Sequence, residues 1–301
     1  MSFADIYVPL ASRVGGIVGQ TATSTLVSAC AFDGFIVAGV EVGGIASVSA
    51  ADDRFVNCHV TADISGKGTI GGIVGLSERS NIANCYVEGN IELTEAPKGG
   101  KVGGVIGAMG ATLVDSVYAL VCNNIVALDE MKLPVDVELY AHRIVGYSNG
   151  DSFEYDWDNI DYEKPQSEWP KFYNNPEMCL ANNYVVSDLA AIDATIELND
   201  TTTEGATMER SALTSTWLAD HGFAFGEDAT SPWVLEEDEE LRLWFEVFEE
   251  VVAIDDIEED TKISVWFEGD ELVSEGDMLL FNVNGQLLSS GVDRMNVAGL
   301  P

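Results

Sequence analysis

The chain has 301 residues and a formal net charge of −37, from 51 acidic and 14 basic side chains. Residues 1–149 hold 15 acids and 8 bases, whereas residues 150–301 hold 36 and 6, so the acidity sits in the second half. So negative a surface repels phosphate backbones and anionic headgroups, which argues against nucleic acid and membrane insertion and leaves cations, basic proteins and uncharged glycans as partners.

The first stretch, "MSFADIYVPLASR", lacks the basic start and apolar run of a signal peptide. No segment reaches the roughly 20 apolar residues of a membrane helix. These two facts leave an intracellular protein or an export signal outside the chain. From Arg13 a pattern begins to recur. "RVGGIVGQ" returns as "EVGGIASV" at Glu41, "TIGGIVGL" at Thr69 and "KVGGVIGA" at Lys101, with a worn copy, "AHRIVGYS", at Ala141. Gly15, Gly43 and Gly71 are spaced by 28 residues, and Gly103 follows after 32. Such periods mark stacked supersecondary units. The double glycine resembles a phosphate loop, but no helical pattern follows it, so its expected role is to let the backbone turn and neighbouring units approach. "KGGK" at Lys98–Lys101 fails as a phosphate loop for want of spacing and of a Ser or Thr after Lys101.

A second column runs beside the first. "SACAF" at Ser28, "VNCHV" at Val56, "ANCYV" at Ala83, "VDSVY" at Val114 and "ANNYV" at Ala181 are assigned to equivalent places. Cys30, Cys58 and Cys85 then share one column; Asn57, Asn84 and Asn182 share another, with Ala29 and Asp115 as variant members. The five cysteines show no zinc spacing, and the column of three reads as a ladder of buried free thiols. Each unit holds three short Val- and Ile-rich runs bounded by Gly, Asn, Ser and Asp, a texture of strands. Three strands in 28 residues predict an all-β fold: a right-handed parallel β-helix, or solenoid, of about five coils.

The fifth unit is interrupted by residues 147–179, rich in aromatics and acids. Insertions in repeat proteins form loops on one face and often carry the binding surface. Asp156, Asp158, Asp161 and Glu163 in "DWDNIDYE" offer hard oxygen ligands suited to calcium, although the EF-hand spacing fails and a solvated acidic loop is the alternative. Trp157, Tyr162, Trp169, Phe172 and Tyr173 could form a platform for sugar rings or pack the insertion onto the repeats. No other cofactor is implied. Ala141-His142-Arg143 replaces the glycine approach beside this insertion and predicts a concave seat there. Residues 186–246 follow as a closing segment whose Trp217, Phe223, Phe225, Trp233, Leu243 and Trp244 are expected to cover the open edge of the last unit. The first domain thus runs over 1–246. Residues 247–301 read as short strands with a hairpin turn at Asn284-Gly285.

The "VGGIVG" and "NCYVEGNI" columns resemble the GLUG-motif repeats of bacterial surface proteins. The closing segment looks like the end of such arrays in Bacteroidetes proteins, through Trp217, Gly222-Phe223-Ala224-Phe225, Trp233 and Leu241–Trp244. "LLFNVNGQLLSSG" and "MNVAGLP" are similar to the small C-terminal β-sandwich of type IX secretion sorting domains, here without its expected final strand. The resemblance implies export and an outer-surface or extracellular location, and it carries over no catalytic residue. His59, His142 and His221 lie in different units with no metal-ligand spacing, and no nucleophile motif appears. The expectation is a non-catalytic surface protein, an adhesin or a glycan- or protein-binding module. The alternatives are a structural stalk or, further off, a polysaccharide lyase or hydrolase.

Overall fold

A computed structural model describes residues 2–95, 99–110, 113–114, 117–118, 120–135, 137–148, 153–155, 171–173, 180–186, 188–235, 241–247, 265–268, 271–281 and 287–296. The chain is nearly all β and divides into two compact units, Met1–Phe248 and Glu249–Pro301.

In the first unit the recurrent sequence pairs with itself. Arg13–Gly15, Glu41–Gly43, Thr69–Gly71, Gly100–Gly103 and Leu139–His142 form a five-stranded parallel sheet in which Gly15, Gly43, Gly71, Gly103 and His142 are successive register partners. A larger parallel sheet of 13 strands curls into a half-barrel. Its members include Leu26–Val37, Ala46–Gly66, Tyr86–Leu93, Ile125–Lys132 and Tyr184–Val186. Alternation along these strands sends every second side chain inward. Phe32, Val60, Val87, Val126 and Val185 form one continuous buried column. Ile36, Ile64 and Ile91 form another.

The glycines serve close approach. A Cβ on Gly71 would stand 2.0 Å from the Val74 carbonyl oxygen, and one on Gly72 would stand 2.0 Å from that of Gly104. The cause is backbone crowding, within the corner for Gly71 and against the next unit for Gly72, since neither residue has a left-handed φ. A strand, Val74–Ala83, follows the pair, as the structural reading of the glycines requires.

The asparagine column is where the backbone does turn left-handed. Asn57, Asn84, Asn123 and Asn182 have φ of 56°, 54°, 54° and 55°. Asparagine tolerates this region because its short polar side chain bonds locally. Asn84 Nδ2 donates to Asn57 Oδ1 at 3.1 Å, and Asn182 Nδ2 to Asn123 Oδ1 at 2.7 Å. Here the sequence alignment of the fourth unit needs correction. Val121–Val126, not Val114–Tyr118, is the register partner of the neighbouring units, and Asn123 rather than Asp115 fills the column. Leu113–Val114 and Val117–Tyr118 instead pair with each other, antiparallel, in a local excursion.

Cys30 and Cys58 are direct register partners, and Cys30, Cys58, Cys85 and Cys122 are free thiols. Each of the first three donates to the carbonyl two residues before it. The column then changes chemistry: Asn124 accepts from Cys85 N at 3.0 Å and donates to Asn183 Oδ1 at 2.9 Å, both amides fully buried and bonded.

At Ala141-His142-Arg143 the worn unit is braced by a buried ion pair, while most of the insertion beside it, where a concave seat is expected, lies outside the described residues. Arg143 and Glu204 are a fully buried ion pair 3.1 Å apart. The guanidinium also donates to the carbonyls of Leu189, Glu204 and Gly205 and to the Thr207 hydroxyl. Glu204 accepts in addition from His142 and from the backbone N–H groups of Ile192 and Asp193. Every charge-bearing atom has a partner, which is the condition for burying such a pair. Residues 188–207 thereby close this end of the stack.

The first part of the closing segment does pair on the edge, through Ala206–Met208 beside Tyr184–Val186, whereas its aromatic part lies elsewhere. Leu213, Leu218, Phe223, Trp233, Leu241 and Leu243 form a second core against Tyr86, Ile125, Ala127 and Tyr184, on the outer face of the large sheet. Trp233 is fully buried, 6.5 Å from the Tyr86 ring centroid and 5.3 Å from that of Phe223. The asparagine column anchors this segment too, through Asn57 Nδ2 to Ala229 O at 3.3 Å and Asn182 Nδ2 to His221 O at 2.8 Å.

In the inserted region Phe153–Tyr155 and Lys171–Tyr173 pair antiparallel. In the second unit Val265–Glu268, Glu271–Phe281 and Leu287–Asn296 form a three-stranded antiparallel sheet. The pairing of Phe281 with Leu287 brackets the segment holding Asn284-Gly285. Among the described residues no helix is long and apolar enough to cross a membrane.

Candidate binding groove

Where the closing segment meets the outer face of the large sheet, it leaves a cavity of about 610 Å³. The floor comes from three adjacent strands, because Asp33, Thr61 and Glu88 are successive register partners whose side chains point away from the core. Arg210, Leu213, Leu241 and Arg242 form the wall, and Asp129 stands at the margin. A second cavity of about 300 Å³ continues along the same strands, lined by Asp63, Ser65, Asn90, Glu92, Glu130 and Lys132. Outward positions recur every two residues, about 6–7 Å apart along a strand, so the two cavities make an elongated polar groove.

The groove is held rigid from behind. His59 is 2% exposed, and its Nδ1 donates to Glu246 Oε1 at 2.8 Å. Its Nε2 donates to Glu88 Oε2 at 3.3 Å and lies 3.1 Å from Thr61 Oγ1. Tyr86 stacks on the imidazole at 4.9 Å and donates its hydroxyl to Glu88 Oε1 at 2.7 Å. Glu246 is bound in turn by Leu243 N at 2.8 Å. Burial alone would push the His59 pKa down, but the bonds and charges of Glu246 and Glu88 outweigh it and raise the value to about 9. The ring is therefore a cation at neutral pH. Burial would raise the Glu88 pKa, yet bonds from His59 and Tyr86 hold it below the usual value, so this carboxylate stays ionised.

Several other charges of the groove are paired within the protein. Arg210 binds Asp188 at 2.7 Å and lies 3.9 Å from Asp129. Asn90 Nδ2 donates to Asp63 Oδ1 at 2.8 Å, and Lys132 pairs with Glu92. Such a surface offers carboxylate acceptors and guanidinium donors in fixed positions. It suits a ligand carrying many hydroxyl or amine groups better than an anion.

Of the residues singled out in the sequence, Trp157, Tyr162, Trp169, Asp156, Asp158, Asp161 and Glu163 lie outside the described residues. Phe172 and Tyr173 stand on the strand Lys171–Tyr173, whose side chains are likewise outside the description. Among the described residues no three His, Cys, Asp or Glu side chains are grouped to hold a metal ion. Of the three histidines, His221 stacks on Trp217 at 3.8 Å and His142 pairs with Glu204. His59, packed against Tyr86, is the charged link between the repeats and the closing segment. Its repeat position was visible, but nothing in the sequence joins it to Glu246, 187 residues away.

A family model for the GLUG motif matches residues 66–92. The chain carries a GLUG motif. The matched span runs from the glycine-bearing strand Thr69–Gly71 through Val74–Ala83 and into Tyr86–Leu93, so it includes Glu88 and Asn90 on the groove floor. No curated protein matches the chain, and no solved structure does.

Proposed function

We propose that the chain is a non-catalytic, extracellular or surface-displayed repeat protein that binds glycans, with the elongated groove as their seat. In this reading the repeats wind as a right-handed parallel β-helix of about five coils, of the Bacteroidetes type. Residues 247–301 are then a small β-sandwich of the secretion-sorting kind. The in-register glycine, asparagine and valine columns and the GLUG match at residues 66–92 support the repeat part of this reading. The observation that carries the binding part is the groove itself, with a polar floor that follows the strands and is braced by buried bonds. Its acids, Asp33, Asp63, Glu88, Glu92, Asp129 and Glu130, outnumber its bases, so neutral or amino sugars are favoured over uronates. Glu88 does not suit the acid of a glycosidase: both of its oxygens are engaged and its pKa is depressed, whereas that acid needs a raised one.

A glycan array probed with the full chain tests this. Neutral or amino oligosaccharides should bind, and Asp63→Asn with Arg210→Ala should weaken them at least tenfold without moving the melting transition. Absence of binding across the array would leave the stalk reading. Release of reducing ends or unsaturated sugars from a bound chain would establish the enzymatic one.

A further inference from the structure

We propose, on the glycan reading of the groove, that Phe35 is the platform on which a sugar ring stacks there, and that it selects pyranoses with all-equatorial substituents, of the glucose and glucosamine kind. Along Leu26–Val37 the side chains of Phe32 and Ile36 enter the core, so alternation sends Asp33 and Phe35 to the outer face. The closing segment buries that face at Ala31, His59 and Tyr86, but four residues beyond Ala31 the phenylalanine remains partly exposed. Among the described residues it belongs to neither hydrophobic core. Asp33, two residues before it on the same strand, lines the larger cavity, and its register partner Asp63 lines the smaller. Phe35 is therefore the aromatic neighbour of both halves of the groove.

Across the sheet the surface changes character within one interstrand spacing of about 4.8 Å. Phe35, Asp63, Asn90 and Glu130 follow one another as register partners, so an apolar ring is succeeded by a carboxylate, an amide and a second carboxylate. Asn90 Nδ2 holds Asp63 Oδ1 at 2.8 Å, which fixes the carboxylate and leaves its other oxygen to accept from a ligand. A pyranose is divided in the same way. Its axial C–H bonds make an apolar face that packs on an aromatic ring, and its equatorial hydroxyls radiate in the ring plane as donors to carboxylates and amides. An axial hydroxyl would be carried onto the phenyl ring, where it loses water and finds no acceptor. An equatorial ammonium, by contrast, gains from both Asp63 and the ring face.

Titration of the full chain with tetrasaccharides of β-1,4-linked glucose, glucosamine and mannose tests the proposal. The first two should bind about tenfold tighter than the third, and Phe35→Ala should weaken them by about the same factor, the scale of one aromatic contact. Phe35→Leu, apolar but without the ring, should weaken them nearly as much, and Phe35→Trp should keep the affinity. Melting should be unchanged in all three variants; if Phe35→Ala melts lower, the leucine and tryptophan variants decide. In the complex, cross-relaxation should connect the Phe35 ring protons with the sugar C–H protons. Binding that Asp63→Asn weakens and Phe35→Ala leaves intact would keep the groove and overturn the platform, as would a mannose tetrasaccharide that binds as tightly as the other two. If no glycan of any kind binds the intact chain, the groove reading and the platform fall together.

Discussion

At the scale of single residues, two positions carry more than their surroundings suggest. Ala29 has φ of 53° in the column where the other units place Asn57, Asn84, Asn123 and Asn182. A left-handed alanine costs roughly 1–2 kcal/mol, and its methyl cannot take part in the amide ladder. Ala29→Asn should therefore stabilise the first unit by about 0.5–1 kcal/mol, read as a higher urea midpoint at unchanged slope. A lower midpoint would mean that the ladder does not extend to this edge. The second position is His59. Its pKa is raised from 6.5 to about 9 by Glu246 and Glu88, so its contribution is complete below the unfolded value and is lost as pH rises through about 9. Melting of the intact protein should fall between about pH 6.5 and 9 by more than in His59→Gln, which starts lower and lacks this titration. Parallel pH profiles for the two proteins would remove the charged link from the account.

At the scale of elements, the repeat was legible because stacking places like on like: glycines recur where units touch, asparagines where the chain turns, and valines where it packs. The fourth unit was misread for a physical reason. "VDSVY" has the alternation of a strand and folds as one, but it pairs locally at 113–118 and displaces the true partner to Val121–Val126. The closing segment was only half legible. Its aromatic spacing announces burial without saying against what, and the answer, the outer face at Tyr86, Ile125 and Tyr184, depends on contacts far apart in sequence. The groove was illegible for the same reason, since Asp33, Glu88, Arg210 and Arg242 meet only after the repeats have stacked and the segment has docked. Removing the centre of that second core should uncouple the two layers. Trp233→Ala should cost about 3–5 kcal/mol, the usual range for a buried aromatic. Limited proteolysis should then cut within 206–247 while the parallel repeats remain resistant. Loss of both together would show one cooperative core where the structure has two.

At the scale of the whole molecule, charge and register act in opposite senses. Net charge of −37 makes the chain repel itself, with residues 150–301 holding 36 acids against 6 bases. Screening shortens that repulsion, so the melting temperature should rise between roughly 20 mM and 1 M sodium chloride, a span over which the Debye length falls from about 20 Å to about 3 Å. A flat or falling dependence would mean that favourable ion pairs such as Arg79–Asp52 and Arg13–Glu41 outweigh the excess of acid. Register works the other way, binding each unit to its neighbours through positions 28 residues apart in the first three repeats. For the gene this makes length a neutral variable. An in-frame duplication of one 28-residue segment would present the same glycines, valines and asparagines to both neighbours, whereas a gain or loss of one codon inside a strand would turn its core side chains outward. The excursions at 113–118 and 153–173 fall between stacked strands, where additions leave the columns aligned. Such a chain can lengthen by recombination among its own repeats and still fold at the first attempt.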